Sequence, residues 1–354
     1  MKKLVKRLAL ALVCLTLTVS AIACTGNVAE PREEFKGVFS AYDYATEEEA
    51  VRAFIENEFT DMDFNGEYLS HSAIADLTAE ELDGLNYGTV NKEDITSAKK
   101  VEISYSLGGA ASKHVAYVLT VGEEDVRYRY YSPKPSDGEG VTQSYVSYLL
   151  DKTVLSNVTV EQKTDMSTSS GGLQIDIAAT VTCRYAENVI GFTYSESYKY
   201  GEQSQTSKFD GAMLMSARGV RAYTLGTNDQ YQDSTNDLSA LLLIGSDLEN
   251  SGILGALKQV EFVIYMVKGD KLVLREDIKS LIIEQVAEAS GEATIHSYAS
   301  SFTIDGGRIV SLDEDMEMTA AGQRVKMSIE TSFTDYGVTS VSVPQEVLDM
   351  NASY

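Results

Sequence analysis

Two stretches of this sequence alternate so strictly that they leave little choice of fold. Leu173, Ile175, Ile177, Ala179, Val181 and Cys183 fall on one side of an extended chain, and Gln174, Asp176, Thr180 and Thr182 on the other. Val325, Met327, Ile329, Thr331 and Phe333 repeat the pattern against Arg324, Lys326, Ser328, Glu330 and Ser332. Side chains along a strand point alternately to opposite faces, so each stretch reads as a strand with one dry and one wet face, as in an antiparallel sheet covered on one side. Between them Ile190, Phe192, Tyr194, Tyr198 and Tyr200 share a face interrupted by Glu196, and Phe209, Met213 and Met215 continue it. These segments make a meander with Cys183 in its core. Twenty-one Tyr, no Trp and only four Pro fit the same bias toward sheet.

The N-terminus carries a different signal. Met1-Lys2-Lys3-Leu4-Val5-Lys6-Arg7 is basic, Leu8 to Val19 is apolar, and Ser20-Ala21-Ile22-Ala23-Cys24 is a small-residue cleavage site, together a signal peptide. The last five residues resemble the bacterial lipobox, with Ala21 where Leu is commoner. That resemblance implies that residues 1–23 are removed and that Cys24 receives diacylglycerol and a further acyl chain such as palmitate. The alternative is an ordinary secretory signal cut nearby. Each buried CH₂ of an acyl chain contributes about 0.8 kcal/mol, so two or three chains hold a protein at the membrane surface. The expected location is therefore the extracytoplasmic face of a cell membrane. The later apolar run Leu238 to Ile244 is far shorter than the roughly 20 residues needed to span a bilayer, and reads as a buried helix turn. With Cys14 lost and Cys24 acylated, Cys183 has no intrachain partner.

Removing the signal takes away four bases and moves the net charge from −24 to −28. Such a surface repels phosphate backbones and anionic lipid heads, which excludes nucleic acid as a partner and membrane binding through protein charge. At 44% hydrophobic residues the chain can bury one large core or two ordinary ones.

Residues 24–40 read as a polar, lipidated tether, 41–150 as a smaller α+β domain, and 151–354 as a mostly antiparallel domain. Thr46-Glu47-Glu48-Glu49 is a capping box that opens an amphipathic helix over residues 47 to 59, and Thr78-Ala79-Glu80-Glu81 opens a second, short one ending near Gly84. Strands follow around Val101 to Leu107, Val115 to Val121 and Val126 to Tyr131. Pro133 to Gly140, with two prolines and two glycines, is either a domain boundary or a long hairpin loop. Further on, the spacing predicts one or two helices over 236–258, a strand over 260–267 and a helix over 275–289. Hairpin turns are expected at Asp305-Gly306-Gly307, Ala320 to Gln323 and Asp335-Tyr336-Gly337.

A long meander, helices inserted in mid-sheet, and C-terminal hairpins closing on Val341 to Val347 resemble the LolA/LppX-like lipoprotein superfamily over about residues 150 to 354. Phe302 to Leu312 followed by Met316-Glu317-Met318 is similar to the late hairpins of its uncharacterised secreted members. The resemblance implies α+β architecture dominated by a curved antiparallel half-barrel, whose apolar face holds acyl chains or other lipid, or is filled by its own helices. Met213, Met215, Met316, Met318, Val325, Met327 and Ile329 are the ligand-binding candidates, because methionine suits a deformable cavity as well as a plain core. The first half loosely resembles the cone of the nuclear-transport-factor-like fold in element order.

Little in the sequence points to catalysis. His71, His114 and His296 lie far apart, and there is no nucleophile elbow, phosphate loop or dinucleotide fingerprint. Asp61-Met62-Asp63-Phe64-Asn65-Gly66-Glu67 matches the first positions of a calcium loop, but Ser72 stands where the bidentate Glu belongs, and a helix-ending polar turn explains it more simply. Asp313-Glu314-Asp315 with Glu317 reads as a solvated strand face. No catalytic residue, cofactor or metal is expected. The first expectation is a non-enzymatic lipid-anchored protein binding a lipid or other apolar molecule. The second is an envelope protein-interaction module with a solid core.

Overall fold

The computed structural model describes residues 32–353 except 62, 152–154, 171–172, 187, 227–228, 239–243, 245–246, 290–292 and 321. The signal segment, Cys24 and most of the apolar run at 238–244 lie outside the described residues.

The first half builds a five-stranded antiparallel sheet in the order β1-β5-β4-β3-β2, from β1 (Val38–Phe39), β2 (Gly66–Asp76), β3 (Ile95–Leu107), β4 (Ala110–Val121) and β5 (Arg127–Ser132). Helix α1 (Glu47–Glu58) lies against it. Its capping box forms as read from the sequence: the Glu49 N–H donates to Thr46 Oγ1, and the Thr46 N–H donates to the Glu49 carboxylate. Val51, Phe54, Ile55 and the following Phe59 are fully buried under the sheet. The second capping box opens α2 (Ala79–Asp83). Strand β2 is a long sheet edge not anticipated from its Ser- and Ala-rich sequence, and its two register shifts leave Leu69 and Ile74 unpaired and exposed.

The chain is docked from Arg32 onward, so the segment expected as a tether over residues 24–40 is, in its described part, a strap. The Arg32 guanidinium stacks 4.0 Å above the Tyr148 ring and pairs with Asp151 at 2.9 Å. Phe35 packs against Tyr145 and Tyr148 of α3 (Gln143–Leu149), each at 5.3 Å between ring centres. Val38 and Phe39 then pair with Ser132 and Tyr131.

The second half is one open, curved eleven-stranded antiparallel sheet that does not close into a barrel. One arm runs through β6 (Asn157–Ser170), β7 (Leu173–Ala186), β8 (Val189–Tyr200), β9 (Gln203–Ser216), β10 (Gly219–Leu225) and β11 (Tyr231–Asp233). After α4 (Thr235–Leu238) and α5 (Gly252–Leu257) the chain returns at the far edge as β12 (Tyr265–Lys268) and β13 (Lys271–Leu274). Helix α6 (Lys279–Ala289) follows, then β14 (Thr294–Asp305), β15 (Arg308–Ala320) and β16 (Gln323–Thr334). The two arms meet where β16 pairs with β6, Thr334 opposite Thr159 and Val325 opposite Thr168. The expectation of mostly antiparallel β structure with covering helices is met.

Three expected elements differ locally. The strand expected over 260–267 begins with a 3-10 turn, Phe262–Ile264, whose three residues are all buried. The helix expected from Arg275 starts only at Lys279, because Arg275 is held in the interior by Asp277 and by the Tyr105 and Ser112 hydroxyls. After Asp335-Tyr336-Gly337 no further hairpin follows. The chain crosses the sheet, held by reciprocal bonds between Asn157 and Thr339, and enters α7 (Gln345–Ala352) after Pro344. Pro344 lacks an N–H, which a helix start does not need.

One hydrophobic cluster runs through both sheets, joining Phe54, Ile103 and Tyr105 to Leu257, Ile278, Phe302 and Met327. The Pro133 to Gly140 loop is stitched to β12: Gly138 and Val141 donate to the carbonyls of Val267 and Tyr265, and Val267 donates to that of Glu139. Among the described residues no helix is long and apolar enough to cross a membrane.

Candidate functional site

Strict alternation combined with unbroken register turns the large sheet into ordered cross-strand rows. On its covered face, Tyr298, Met316, Met327, Met166, Ile177 and Tyr198 lie side by side on β14, β15, β16, β6, β7 and β8. The next row is Ile295, Met318, Val325, Thr168, Ile175 and Tyr200. Five of the seven ligand candidates, Met316, Met318, Val325, Met327 and Ile329, are thus brought together, with exposures of 1–8%. Met213 shares their face but pairs with Ile190 and Ala222, eight residues farther along the strands, and is fully buried. Met215, paired with Val220 near the end of β9, is 48% exposed.

The rows are fully packed over β14–β16 and partly exposed on β6 and β8, while their β7 members, Ile175 and Ile177, remain buried. Over β14–β16 every member is buried, whereas Met166, Tyr198 and Tyr200 are only half-buried. Met166 was not among the candidates, since β6 presents Gln162, Thr164 and Thr168 on the same face and shows no apolar alternation in that stretch.

Beside these rows the covered face turns polar, with Ser300, Glu314, Ile329, Thr164, Ala179 and Glu196 in register. Glu314, expected on a solvated face with its neighbours, is a correction: alternation turns it inward, where it is 4% exposed and accepts a hydrogen bond from the Tyr298 hydroxyl. Asp315 and Glu317 do face outward. They help line a trough of about 570 Å³ on the uncovered face, with Asp165, Asp176, Lys199 and Lys326 along its walls. Met316 and Met327 also border it, and since their side chains point to the other face it is their backbone that forms the floor.

The first sheet holds a buried polar group of its own. His114 stands between the rings of Phe54 and Phe59, at 5.4 and 5.2 Å, and its Nδ1 is 4.0 Å from the Glu139 carboxylate. Neither ring nitrogen has a hydrogen-bond partner among the described residues, and burial holds the ring's pKa below the ordinary value despite Glu139. His71 lies in the same cross-strand row, separated from His114 by Ile103, and shares a 2.7 Å hydrogen bond with the Tyr68 hydroxyl. His296 sits in the irregular step between Ile295 and Ser297 and bonds Thr319 on the exposed side. Glu58 is also buried, which raises its pKa, while the Ser144 N–H and hydroxyl donate to it. Cys183 is buried in the core and its thiol is pushed up to about 12.

The calcium-like segment folds as a tight turn. The Asp61 N–H donates to the Phe64 carbonyl, Thr60 bridges to Asn65, and β2 begins at Gly66. Met62 lies outside the described residues, and among those described no group of three or more His, Cys, Asp or Glu is arranged to hold a metal.

A third surface feature is a groove of about 440 Å³ at the strap, lined by Arg32, Phe35, Lys134, Tyr145, Tyr148, Lys271 and the β14–β15 turn. Gly307 in that turn has φ +73°, and a Cβ placed there would fall 2.0 Å from the Tyr148 hydroxyl.

No family model matches the chain, and no curated protein matches it. Among solved structures it is similar to a DUF1329 family protein from Desulfovibrio piger, at 10% identity over 56% of this chain and 93% of that one, with a TM-score of 0.20. It is also similar to a beta-barrel-like protein of domain of unknown function DUF1849 from Brucella abortus, at 8% identity over 69% of this chain and 92% of that one, with a TM-score of 0.18. Likenesses at this level carry no argument about this chain.

The geometry therefore has to speak for itself. A sheet face that is packed over β14–β16 and loosens at Met166, Tyr198 and Tyr200 offers an elongated apolar group a place along its rows, with Glu196 and Thr164 beside it to receive a polar end. An extended apolar molecule laid there removes both surfaces from water at about 25 cal/mol per Å².

Proposed function

We propose that this is a non-enzymatic, lipid-anchored protein of the extracytoplasmic membrane face, which binds the apolar part of a lipid or similar molecule on the methionine rows of its large sheet. The observation that carries this reading is the partial exposure of Met166, Tyr198 and Tyr200 on rows that are otherwise apolar and buried. The signal-peptide pattern of residues 1–23 and the lipobox-like Cys24 support the location. The test is native mass spectrometry of the soluble form starting after Cys24, before and after organic extraction. A lipid-sized mass lost on extraction is the expected result. A bare protein that also fails to retain an added dodecyl amphiphile would refute the reading.

A second reading, an envelope interaction module with a solid core, is favoured by the 0–8% exposure of Met213, Met316, Met318, Val325, Met327 and Ile329. In that case the charged trough is the working surface. Cross-linking from Lys199 and Lys326 in intact cells would then capture one protein reproducibly, and the loss of that product in Asp165→Lys/Asp176→Lys would assign it to the trough.

A further inference from the structure

The charges of the large sheet are sorted by face. On β6–β9, β15 and β16, the bases Lys163, Arg184, Lys199, Lys208, Arg324 and Lys326 all fall between the covered-face positions of their strands and so stand on the uncovered side. Apart from Arg308, which stacks on the Tyr336 ring at the turn end of β15, the covered face of β6–β9 and β14–β16 carries only two charged side chains among the described residues, Glu314 and Glu196. From this sorting we infer that the apolar-chain ligand of the methionine rows ends in a cationic hydrogen-bond donor, an alkylammonium, and not in a carboxylate or phosphate. This rests on the reading that those rows hold an apolar chain.

Glu196 is the charge nearest the exposed part of the rows. It lies on the covered face two residues from Tyr198, about 7 Å along β8, is half-buried, and pairs with no base among the described residues. On its other side along the same face is Tyr194, 7% exposed. Burial first, and then the Glu196 charge, raise the pKa of that phenol, so the carboxylate acts on the covered face. Thr164 shares the cross-strand row of Glu196, and one row over Thr331 is fully buried, its hydroxyl without a hydrogen-bond partner among the described residues. Glu314 lies in the same row as Glu196, four strands away at about 4.8 Å each, on the packed side. An anionic end placed beside Glu196 would meet a like charge with no base to offset it, in a half-buried setting that salt screens weakly. A primary ammonium instead gives Glu196 a charge-assisted hydrogen bond and keeps further N–H groups for hydroxyls such as Thr164.

The test uses three probes of one chain length, dodecylammonium, dodecanol and dodecanoate, each below its micelle concentration at pH 7. Equilibrium dialysis measures their binding to the chain from Thr25 onward, which retains every described residue. Dodecylammonium should bind at least about tenfold tighter than dodecanoate, with dodecanol between them. Glu196→Gln should bring dodecylammonium down to the level of dodecanol, whereas Glu330→Gln, an equal change of charge on the uncovered face, should leave the preference intact. Dodecanoate binding as tightly as dodecylammonium would overturn the inference. So would a preference that survives Glu196→Gln, since the overall acidic surface would then be its source. Failure of all three probes to bind would instead refute the apolar-ligand reading on which the inference rests.

Discussion

Gly306 and Gly307 offer a comparison inside a single two-residue turn. Both have left-handed backbones, φ +53° and +73°, so an alanine at either carries a strain of about 1–2 kcal/mol. They differ in surroundings, since a Cβ at 306 meets nothing within 4 Å, while one at 307 collides with the Tyr148 hydroxyl. Tyr148 must then swing away, giving up its 2.8 Å bond to the Glu33 carbonyl and the Arg32 guanidinium on its ring. A hydrogen bond of this kind contributes about 0.5–1.5 kcal/mol and an exposed cation–π contact about 0.5–1 kcal/mol. Gly307→Ala should therefore be less stable than Gly306→Ala by about 1–2.5 kcal/mol, read as a lower urea midpoint at unchanged slope. Brief trypsin treatment should also cut after Arg32 or Lys36 in Gly307→Ala and spare Gly306→Ala. Equal midpoints and equal cleavage would refute the idea that Tyr148 holds the strap.

Other expectations follow from burial. Met327→Ala should cost about 2–5 kcal/mol, and Met215→Ala, on a half-exposed side chain, should stay within about 0.5 kcal/mol in the same urea titration. His114 has its pKa lowered in the folded state, so below the ordinary value of 6.5 the unfolded chain binds the extra proton and stability falls as the medium is acidified. His114→Phe should flatten that fall between pH 7 and 5, and an undiminished slope would assign it to other groups. The Cys183 thiol, buried and raised to about 12, should react with an aromatic disulfide reagent only as fast as the protein opens, so its rate should rise steeply with added urea.

The parts of the fold legible in the sequence were those where one rule acted alone. Thr46 and Thr78 each had a glutamate three residues on, and both helices start there. β7 and β16 alternate cleanly because one face meets a core and the other meets water. β6 and β2 escaped notice for opposite reasons. β6 sits between two strong partners and tolerates Gln162 and Thr164 on its covered face, while β2 is an edge whose Ala and Ser residues bury nothing. Of the candidate site, Met316, Met318, Val325, Met327 and Ile329 could be grouped in advance by their two-residue spacing. That Met166 joins them, and that Met213 does not, depends on the pairing of β6 with β16, which joins residues far apart in sequence. Glu314 was misplaced because its acidic neighbours outweighed the alternation that turns it inward.

That same pairing has a consequence for how the chain reaches its native state. Within each arm of the large sheet every strand neighbours the one before it, so each arm can zip up locally, through short loops everywhere but at the β13–β14 connection that carries α6. Only the β6–β16 seam, Thr159 with Thr334 through Thr168 with Val325, waits for both arms to exist. Its closure carries the largest loop entropy in the sheet and belongs to the slow step of assembly. Substitutions along the seam should slow refolding, whereas equally destabilising ones in β8 or β9 should chiefly speed unfolding. Until the seam closes, two long unpaired strands stand open, and at high concentration a second chain can supply the missing neighbour, so the seam is where arm-exchanged dimers would form.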